Sequence, residues 1–242
     1  MLSRKNKKVC IIGSTPSMKD APYGDKSWDI WAISGAVASE SLGAQKVDVT
    51  PENKWNAVHR VDVFFEMHKP RYHPQCLGKL AVCGKPVVML RQEKSIPTSI
   101  AYPIEEVADA LGEEFSSSVA YMFALAIYLG YEEIRFYGIY LMHETEYLSQ
   151  RPAFKYYLGV ARAKGIKVWA DEATHLTCPA WRYGYDDVDI ICRYLEDRKA
   201  SIEDQMNKQK QAVEDARQVF FQLRGAAQDC ADNIAEIKGG LA

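Results

Sequence analysis

Short runs of apolar residues, each bounded by turn-forming residues, constrain the fold of this chain more than any other feature. These runs are Lys8–Ile12, Asp29–Ile33, Val61–Phe65, Pro86–Leu90, Ile134–Tyr137 and Ile166–Trp169. They are almost entirely apolar, and they do not alternate between apolar and polar side chains. Strands that are covered on both faces have this pattern, and such strands occur in parallel sheets. The runs therefore predict the buried strands of a parallel sheet.

Segments with helical spacing lie between the later runs. The segment SSSVAYMFALAIYLGY, residues 116–131, begins with serines that can cap a helix and contains Gly130, which can stop one. The segment PAFKYYLGVARAK, residues 152–164, is amphipathic and is followed by Gly165. Strands and helices that alternate in this way predict right-handed crossovers and an α/β fold, with a doubly wound, mostly parallel, Rossmann-like sheet.

The end of the chain differs from the rest, and we expect two domains, residues 1–186 and residues 187–242. Mostly apolar or small residues recur in the second at alternating steps of four and three, the heptad spacing of a coiled coil. They are Ile202, Met206, Gln209, Val213, Ala216, Phe220, Leu223, Ala227, Cys230, Ile234 and Ile237. A long helix that pairs with copies of itself or folds along the sheet domain explains this spacing, and a helical hairpin broken at Gly225 is the alternative. We expect self-association into a homo-oligomer through this segment.

Charge and cysteine content narrow the class of partner. A formal net charge of −2 over 242 residues argues against nucleic-acid binding, which needs a basic surface. The first apolar run is too short for a signal peptide, and no later run is long enough to span a bilayer, so we expect no membrane contact. The cysteines follow no regular spacing, which is typical of reduced thiols in a cytoplasmic protein.

Small polar residues follow the first two predicted strands, at the edge of the sheet where α/β proteins bind ligands. They are Gly13, Ser14, Thr15 and Ser17 after the first strand and Ser34 after the second. A glycine at such a junction lets the backbone approach a phosphate, or it serves only a tight corner. The chain has neither a G-x-G-x-x-G pattern nor a G-K-[ST] triplet, and Ser34 stands where an acidic residue would hold a ribose. NAD and P-loop binding are therefore not expected.

The third predicted strand runs into Glu66 and His68, which strand alternation places on the same side. A carboxylate beside an imidazole can perform general acid–base catalysis, because histidine titrates near neutral pH. A surface salt link explains the pair equally well. The nearby His73, Cys76 and Cys83 could join His68 in binding a metal, but their spacing fits no standard zinc module, and we assign no metal site.

Further candidate catalytic residues follow the fifth and sixth predicted strands. His143 lies in the loop after the fifth strand, Arg151 lies near the predicted start of the next helix, and His175 lies beyond the sixth strand. Arg151 can clamp a phosphate or a carboxylate with two parallel hydrogen bonds. An ordinary charged loop also explains His143 and Arg151, and His175 is a lone histidine.

Taken together, these stretches resemble a group of uncharacterised proteins encoded by tailed phages and prophages. The resemblance is carried by GSTPSM, FFEMH, SSSVAYMFALAIYLGYEEIRFYGI, EYLSQRPAFKYYLGVARAKGIKV and RYGYDD, within residues 8–186. More distantly, the chain is similar to bacterial sialyltransferases that use CMP-sialic acid and to pterin diphosphokinase-like Rossmann proteins, in which a G-x-x-P-S turn follows the first strand. This similarity implies that a nucleotide phosphate and sugar are surrounded by Gly13, Ser14, Pro16 and Ser17, together with Ser116, Ser117 and Ser118.

Two functional hypotheses follow from the residues and the resemblance. The first is a phage-encoded transferase of the glycosyltransferase type, which binds a nucleotide or nucleotide sugar in the host cytoplasm. In it Glu66, His68 or His175 takes the proton of the acceptor, and Arg151 or His143 stabilises the leaving phosphate. The second is a non-catalytic, oligomeric protein on a Rossmann-like scaffold, which serves in phage assembly or acts against host defence.

Overall fold

The structure is a computed structural model, and it describes residues 2–39, 42, 54–69, 74–141, 145–179, 181, 182, 184–186 and 188–239. The chain divides into two compact units, Met1–Pro179 and Ala180–Ala242. The division into domains of residues 1–186 and 187–242 stays a prediction from the sequence.

The first unit contains a seven-stranded sheet in which all neighbouring strands are parallel. Its strands are β1 (Lys8–Ile12), β2 (Trp28–Ile33), β3 (Val63–Glu66), β4 (Val87–Met89), β5 (Ser99–Ala101), β6 (Glu133–Tyr137) and β7 (Lys167–Ala170). Their order across the sheet is β5-β4-β3-β2-β1-β6-β7. The apolar runs form every strand except β5, so the predicted α/β fold with a parallel sheet is confirmed. No apolar run marks β5, a short strand at the edge of the sheet.

Helices connect the strands of this unit. The α-helices are α1 (Pro74–Val82), α2 (Ile104–Leu111), α3 (Ser118–Tyr128) and α4 (Thr145–Ala163), and short 3₁₀ helices occupy Pro16–Asp20, Ser34–Ala38, Lys54–Ala57 and Glu172–Thr174. The predicted serine cap of α3 is confirmed, because the hydroxyl oxygen of Ser117 accepts a hydrogen bond from the amide of Ala120 at 3.1 Å.

The start of α4 corrects a prediction from the sequence. The helix begins at Thr145 and contains Pro152, whereas the amphipathic pattern predicts a start at Pro152. A proline inside a helix removes one backbone hydrogen bond. Ala153 and Phe154, which directly follow it, are each only 1% exposed, so core packing holds the helix together at this point.

The sheet separates two apolar cores, because alternate side chains of each strand point to opposite faces. On one face, Ile11 and Phe65 belong to a core that includes residues of α2, α3 and α4. On the other, Ile12 and Phe64 belong to a core that includes residues of α1 and of the 3₁₀ helices after β1 and β2. Helices cover both faces, so the sheet is doubly wound, as predicted.

A buried carboxylate ties the N-terminal segment to the amino-terminal edge of the sheet. Asp29 is 4% exposed and accepts hydrogen bonds from the hydroxyl of Tyr131 at 2.5 Å and from the amides of Lys5 and Asn6 at 3.1 and 3.2 Å. Burial, assisted by the hydrogen bond to Asp29 and its charge, raises the pKa of Tyr131. The phenol therefore stays protonated and donates to the carboxylate.

The second unit consists largely of α5 (Val188–Gly239). This helix runs unbroken through Gly225, so the hairpin alternative is wrong and the single long helix is confirmed. Large apolar side chains on α5 are exposed, among them Met206 at 64%, Phe220 at 60% and Leu223 at 66%. No helix within the described ranges combines the length and the apolar character needed to cross a bilayer.

Candidate functional site

The strand order places a topological switch between β1 and β6. The chain leaves β1 through the 3₁₀ helix Pro16–Asp20, whose Met18 packs in the core that contains α1. It leaves β6 towards α4, which packs on the opposite face. Ligands of open α/β sheets bind in the crevice outside the carboxyl ends of two such neighbouring strands. The residues after β1 and β6 therefore define the centre of the candidate site.

The corner at Gly13 is closely packed against the end of β6. The amide of Gly13 donates to the carbonyl of Tyr137 at 2.8 Å, and the amide of Thr15 donates to the carbonyl of Gly138 at 3.0 Å. The hydroxyl of Ser17 accepts from the amide of Gly138 at 3.0 Å. A Cβ atom added at Gly13 would lie 2.3 Å from the carbonyl oxygen of Gly138. Two amides of the turn are thus engaged by the protein, and the hydroxyls of Ser14 and Thr15 are among the groups that can meet a ligand.

One hydroxyl of this turn has no partner within the part of the chain that the structure describes. The Oγ1 atom of Thr15 is buried and makes no hydrogen bond there. Buried polar groups are normally satisfied, and an exception at a ligand edge is typical of a functional site. Ser14 lies beside it and is half-buried.

Glu66 and His68 form a dyad at the end of β3. The Oε1 atom of Glu66 lies 2.7 Å from Nδ1 of the His68 ring and accepts the backbone amide of His68 at 2.9 Å. The Glu66 side chain is 1% exposed, whereas that of His68 is 46% exposed. When the Nδ1–H group donates a hydrogen bond to the carboxylate, Nε2 is the basic nitrogen of the ring. The pair can therefore accept a proton from a bound hydroxyl.

Ser34 and Cys76 lie close to the dyad. Ser34 directly follows β2 and is 4% exposed. Burial, with a smaller contribution from the negative charge of Glu66, raises the pKa of Cys76, and a hydrogen bond with Ser34 opposes this effect. Cys76 is accordingly a neutral thiol at pH 7, so it is not activated as a nucleophile.

Two cations bind the loop after β7. Arg151 and Lys155, one turn apart on α4, both donate to the backbone carbonyl of His175, at 2.6 and 2.8 Å. Burial, followed by the positive charges of Arg151 and Lys155, lowers the pKa of His175. Burial and the charge of Arg151 likewise lower the pKa of Lys155. His175 is therefore neutral at pH 7 in a positively charged environment.

Ser116, Ser117 and Ser118 lie at the same edge of the sheet but over its other face. The helix that they begin, α3, leads directly into β6 and so runs opposite to the strands, with its first turn at their carboxyl ends. Its residues pack in the core that contains Phe65, whereas Glu66 points to the other side of β3. These serines can approach the switch point only from the α3 side.

Strand order sets the spacing of the candidate residues. The strand that ends in Glu66 lies two places from β1, or about 10 Å at the usual interstrand spacing, and four places from β7, or about 19 Å. The Gly13 corner thus lies between the dyad on β3 and the cations beside β7. His143 lies outside the described residues, and so does His73.

The structure adds one cation to the candidate residues. Lys155 was not among the predicted candidates, although its place four residues after Arg151 puts both cations on one helix face.

Within the described part of the chain, no group of three or more histidine, cysteine or acidic residues is placed to hold a metal ion. An open depression of about 560 Å³ lies away from these residues, beside β5, where Gln92 and Tyr102 line it.

Comparison with known proteins yields low similarity. No protein-family model matches the chain, and no curated protein matches it. It is similar to the sialyltransferase CstII from Campylobacter jejuni, solved with the substrate analogue cytidine-5′-monophosphate, at 16% identity and a TM-score of 0.42, over 67% of this chain and 78% of that one. It is also similar to an apo α-2,3-sialyltransferase from Campylobacter jejuni, at 15% identity and a TM-score of 0.45, over 83% of this chain and 97% of that one.

Proposed function

We propose that the chain is a nucleotide-binding transferase of the glycosyltransferase type, which uses a nucleotide-activated sugar. The observation that carries the proposal is the contact between the buried carboxylate of Glu66 and the half-exposed ring of His68, at the ligand edge of a doubly wound sheet. An orienting carboxylate on Nδ1 prepares Nε2 to take a proton from an acceptor hydroxyl. The acceptor oxygen then bonds to the sugar carbon as the bond from that carbon to the phosphate oxygen breaks.

The phosphate of the donor fits the switch point between β1 and β6. Thr15 contributes a buried hydroxyl without a partner among the described residues, and Ser14, Ser17 and Ser34 supply further hydroxyls nearby. In this proposal hydroxyls hold the phosphate, because the amides of Gly13 and Thr15 already bind β6. The serines at residues 116–118 approach the nucleotide from the α3 face. Arg151 reaches the phosphate from the side of β7 and stabilises its charge as the sugar leaves.

His68 and His175 are alternative bases in this mechanism. They follow strands that are four places apart, about 19 Å, so a single acceptor proton meets one of them. We favour His68, because a buried carboxylate orients its ring. His175 instead offers its backbone carbonyl to Arg151 and Lys155.

A thermal-shift screen against nucleotides and nucleotide sugars tests binding. A ligand at one hundred times its Kd stabilises the folded form by about 2.7 kcal/mol, which raises the Tm of a unit of this size by about 5–10 °C. Absence of any shift at millimolar ligand would overturn the proposal.

Release of nucleotide from the bound nucleotide sugar tests catalysis. We expect Glu66→Gln to keep the thermal shift and to lose most of the release, because glutamine keeps the shape but not the charge that stabilises the protonated ring. Glu133→Gln, at the opposite end of the sheet on β6, is the matched control and should retain both. Equal rates for the two variants would exclude the dyad from catalysis.

The exposed apolar face of α5 favours a second candidate function, an oligomeric binding or assembly protein of a phage that does not require catalysis. Large apolar residues on this face are between 39% and 68% exposed. Pairing with a second copy would bury about sixteen such side chains, each contributing about 1 kcal/mol. That sum is comparable to the roughly 4–15 kcal/mol that the loss of translational and rotational freedom costs, which supports self-association through α5 in this proposal. Alanine at Glu66 or His68 that leaves every phenotype intact would favour this function over the first.

A further inference from the structure

The heptad face of α5 is exposed along much of the helix. We define the α5 seam by its a positions, Cys192, Lys199, Met206, Val213, Phe220, Ala227 and Ile234, and its d positions, Leu195, Ile202, Gln209, Ala216, Leu223, Cys230 and Ile237. Its large apolar side chains range from 39% exposed at Ile202 to 68% exposed at Val213. The seam extends over about 68 Å of helix at 1.5 Å per residue. An exposed apolar stripe of this length marks an interaction surface.

We propose that the partner is a second copy of this chain, and that two copies of α5 form a parallel, in-register, two-stranded coiled coil. This inference rests on the self-association proposed above and adds the number of strands and their orientation. It does not depend on the transferase activity. The charged and polar residues in and beside the seam provide the evidence.

The residues that flank the seam favour the parallel orientation. In a parallel pair, each g residue faces the e residue of the next heptad on the second copy. Arg198, at a g position, then faces Glu203 of the opposite charge. The remaining g positions that face basic residues are uncharged: Gln205 faces Lys210, Ala212 faces Arg217, Val219 faces Arg224 and Asn233 faces Lys238.

Antiparallel pairing places e residues opposite e residues. With the two seams fully overlapped, the basic residues Lys210, Arg217 and Arg224 near the middle of α5 then meet one another. Like charges opposite each other are destabilising. The e column therefore disfavours the antiparallel alternative.

Polar residues within the seam set the register. In a parallel pair Gln209 faces the Gln209 of the second copy, and the two amides can hydrogen-bond, whereas an overlapped antiparallel pair places it against Phe220 or Ala227. Lys199 lies 3.7 Å from Glu203 on its own helix, so its charge is balanced beside the seam. A single lysine at an a position, as at Lys199, specifies register and oligomer state in coiled coils.

Two measurements on the full chain test the inference. Light scattering during size-exclusion chromatography gives the mass, and we expect twice the 27.4 kDa of one chain. Leu223→Glu places a charge in the seam and should return the mass to that of a monomer. Asp232→Lys, on the outer face of α5, is the matched control and should remain a dimer.

Cysteine cross-linking tests the orientation. Cys230 meets its own copy only in a parallel, in-register pair, and a disulfide requires the two Cα atoms to lie within about 7 Å. Cys192, the other seam cysteine, is replaced by serine in every variant of this test, and with oxidised glutathione as the oxidant we expect a covalent dimer through Cys230. A variant with Cys230→Ser and Asp232→Cys moves the thiol to the outer face and should cross-link at least about tenfold less, because the effective concentration across the seam is lost.

The possible results separate the parts of this inference from one another. A monomeric wild-type chain would overturn both this inference and self-association, and a trimeric mass would overturn the two-stranded form. A dimer in which Cys230 and the moved cysteine cross-link equally would overturn the parallel orientation alone. The nucleotide thermal shift of Leu223→Glu, measured separately, reports on the transferase proposal and is expected to be unchanged.

Discussion

Alanine at Gly13 is the substitution that most directly tests the packing at the centre of the candidate site. A Cβ atom there would lie 2.3 Å from the carbonyl oxygen of Gly138 and 2.7 Å from Cγ1 of Ile139. The oxygen belongs to the backbone of the neighbouring strand end, so it cannot move aside as a flexible side chain would. The end of β6 or the turn after β1 must shift instead, and the hydrogen bonds between them must lengthen.

The expected change in the free energy of unfolding has three contributions. Overpacking of this kind costs about 1–3 kcal/mol. Weakening one or two of the hydrogen bonds between the turn and β6 adds about 1 kcal/mol each. Replacing glycine by alanine also restricts the unfolded chain, which offsets about 0.4–1 kcal/mol. The free energy of unfolding should therefore fall by about 1–5 kcal/mol.

Urea unfolding followed by tryptophan fluorescence measures this change, since Trp28 and Trp31 lie in β2 beside β1. Gly24→Ala is the matched control, because a Cβ atom at Gly24 meets no atom within 4 Å. The control should unfold within about 1 kcal/mol of wild type. If Gly13→Ala matches the control, the close contact between the two strand ends is refuted.

Three further sets of substitutions test other parts of the structure. In a double-mutant cycle of Asp29→Ala and Tyr131→Phe, the buried hydrogen bond predicts a coupling of about 1.5–3 kcal/mol in urea unfolding, and additive effects would contradict it. Burial and two nearby cations lower the pKa of His175 from 6.5, so near that pH the folded state binds fewer protons than the unfolded state. The stability that this residue contributes is therefore lost as the pH falls through about 6.5. The Tm should therefore drop less between pH 7.5 and pH 5 in His175→Gln than in wild type. In an NMR titration, Lys155→Met should raise the pKa of His175. An unchanged drop in Tm and an unchanged pKa would refute the electrostatic account. Ser117→Ala should destabilise the protein by about 0.5–2 kcal/mol, because the α3 cap is lost. Ser117→Asp should keep the cap and the stability. Equal stability of the two variants would argue against capping.

The sequence predicted most strands because a strand that is buried on both faces consists mainly of apolar residues. After Lys8, the remaining four residues of β1 are apolar and buried, a pattern that a surface segment does not require. The strand β5 escaped prediction because it has three residues at the edge of the sheet, with a partly exposed pattern. The start of α4 was not predicted correctly, because packing of Ala153 and Phe154 outweighs the local effect of Pro152.

The candidate site was predictable in part. Glu66 is the last residue of β3 and His68 follows two residues later, so the alternation of an extended chain predicts that their side chains lie on the same side. The engagement of the amides at Gly13 and Thr15 was not predictable, because their acceptors lie more than 120 residues away, at the end of β6 and directly after it. The contact between Lys155 and the His175 carbonyl likewise depends on how α4 meets the loop after β7.

By itself the sequence determined the apolar strands, the cap of α3, the dyad on β3 and the long heptad helix, because each depends on residues within one or two turns or one strand. The tertiary structure alone decided that β1 lies beside β6, and hence where the switch point falls and which groups of the Gly13 corner remain for a ligand. Strand order decides this, and it results from packing and chain closure over the whole unit, which no local pattern encodes.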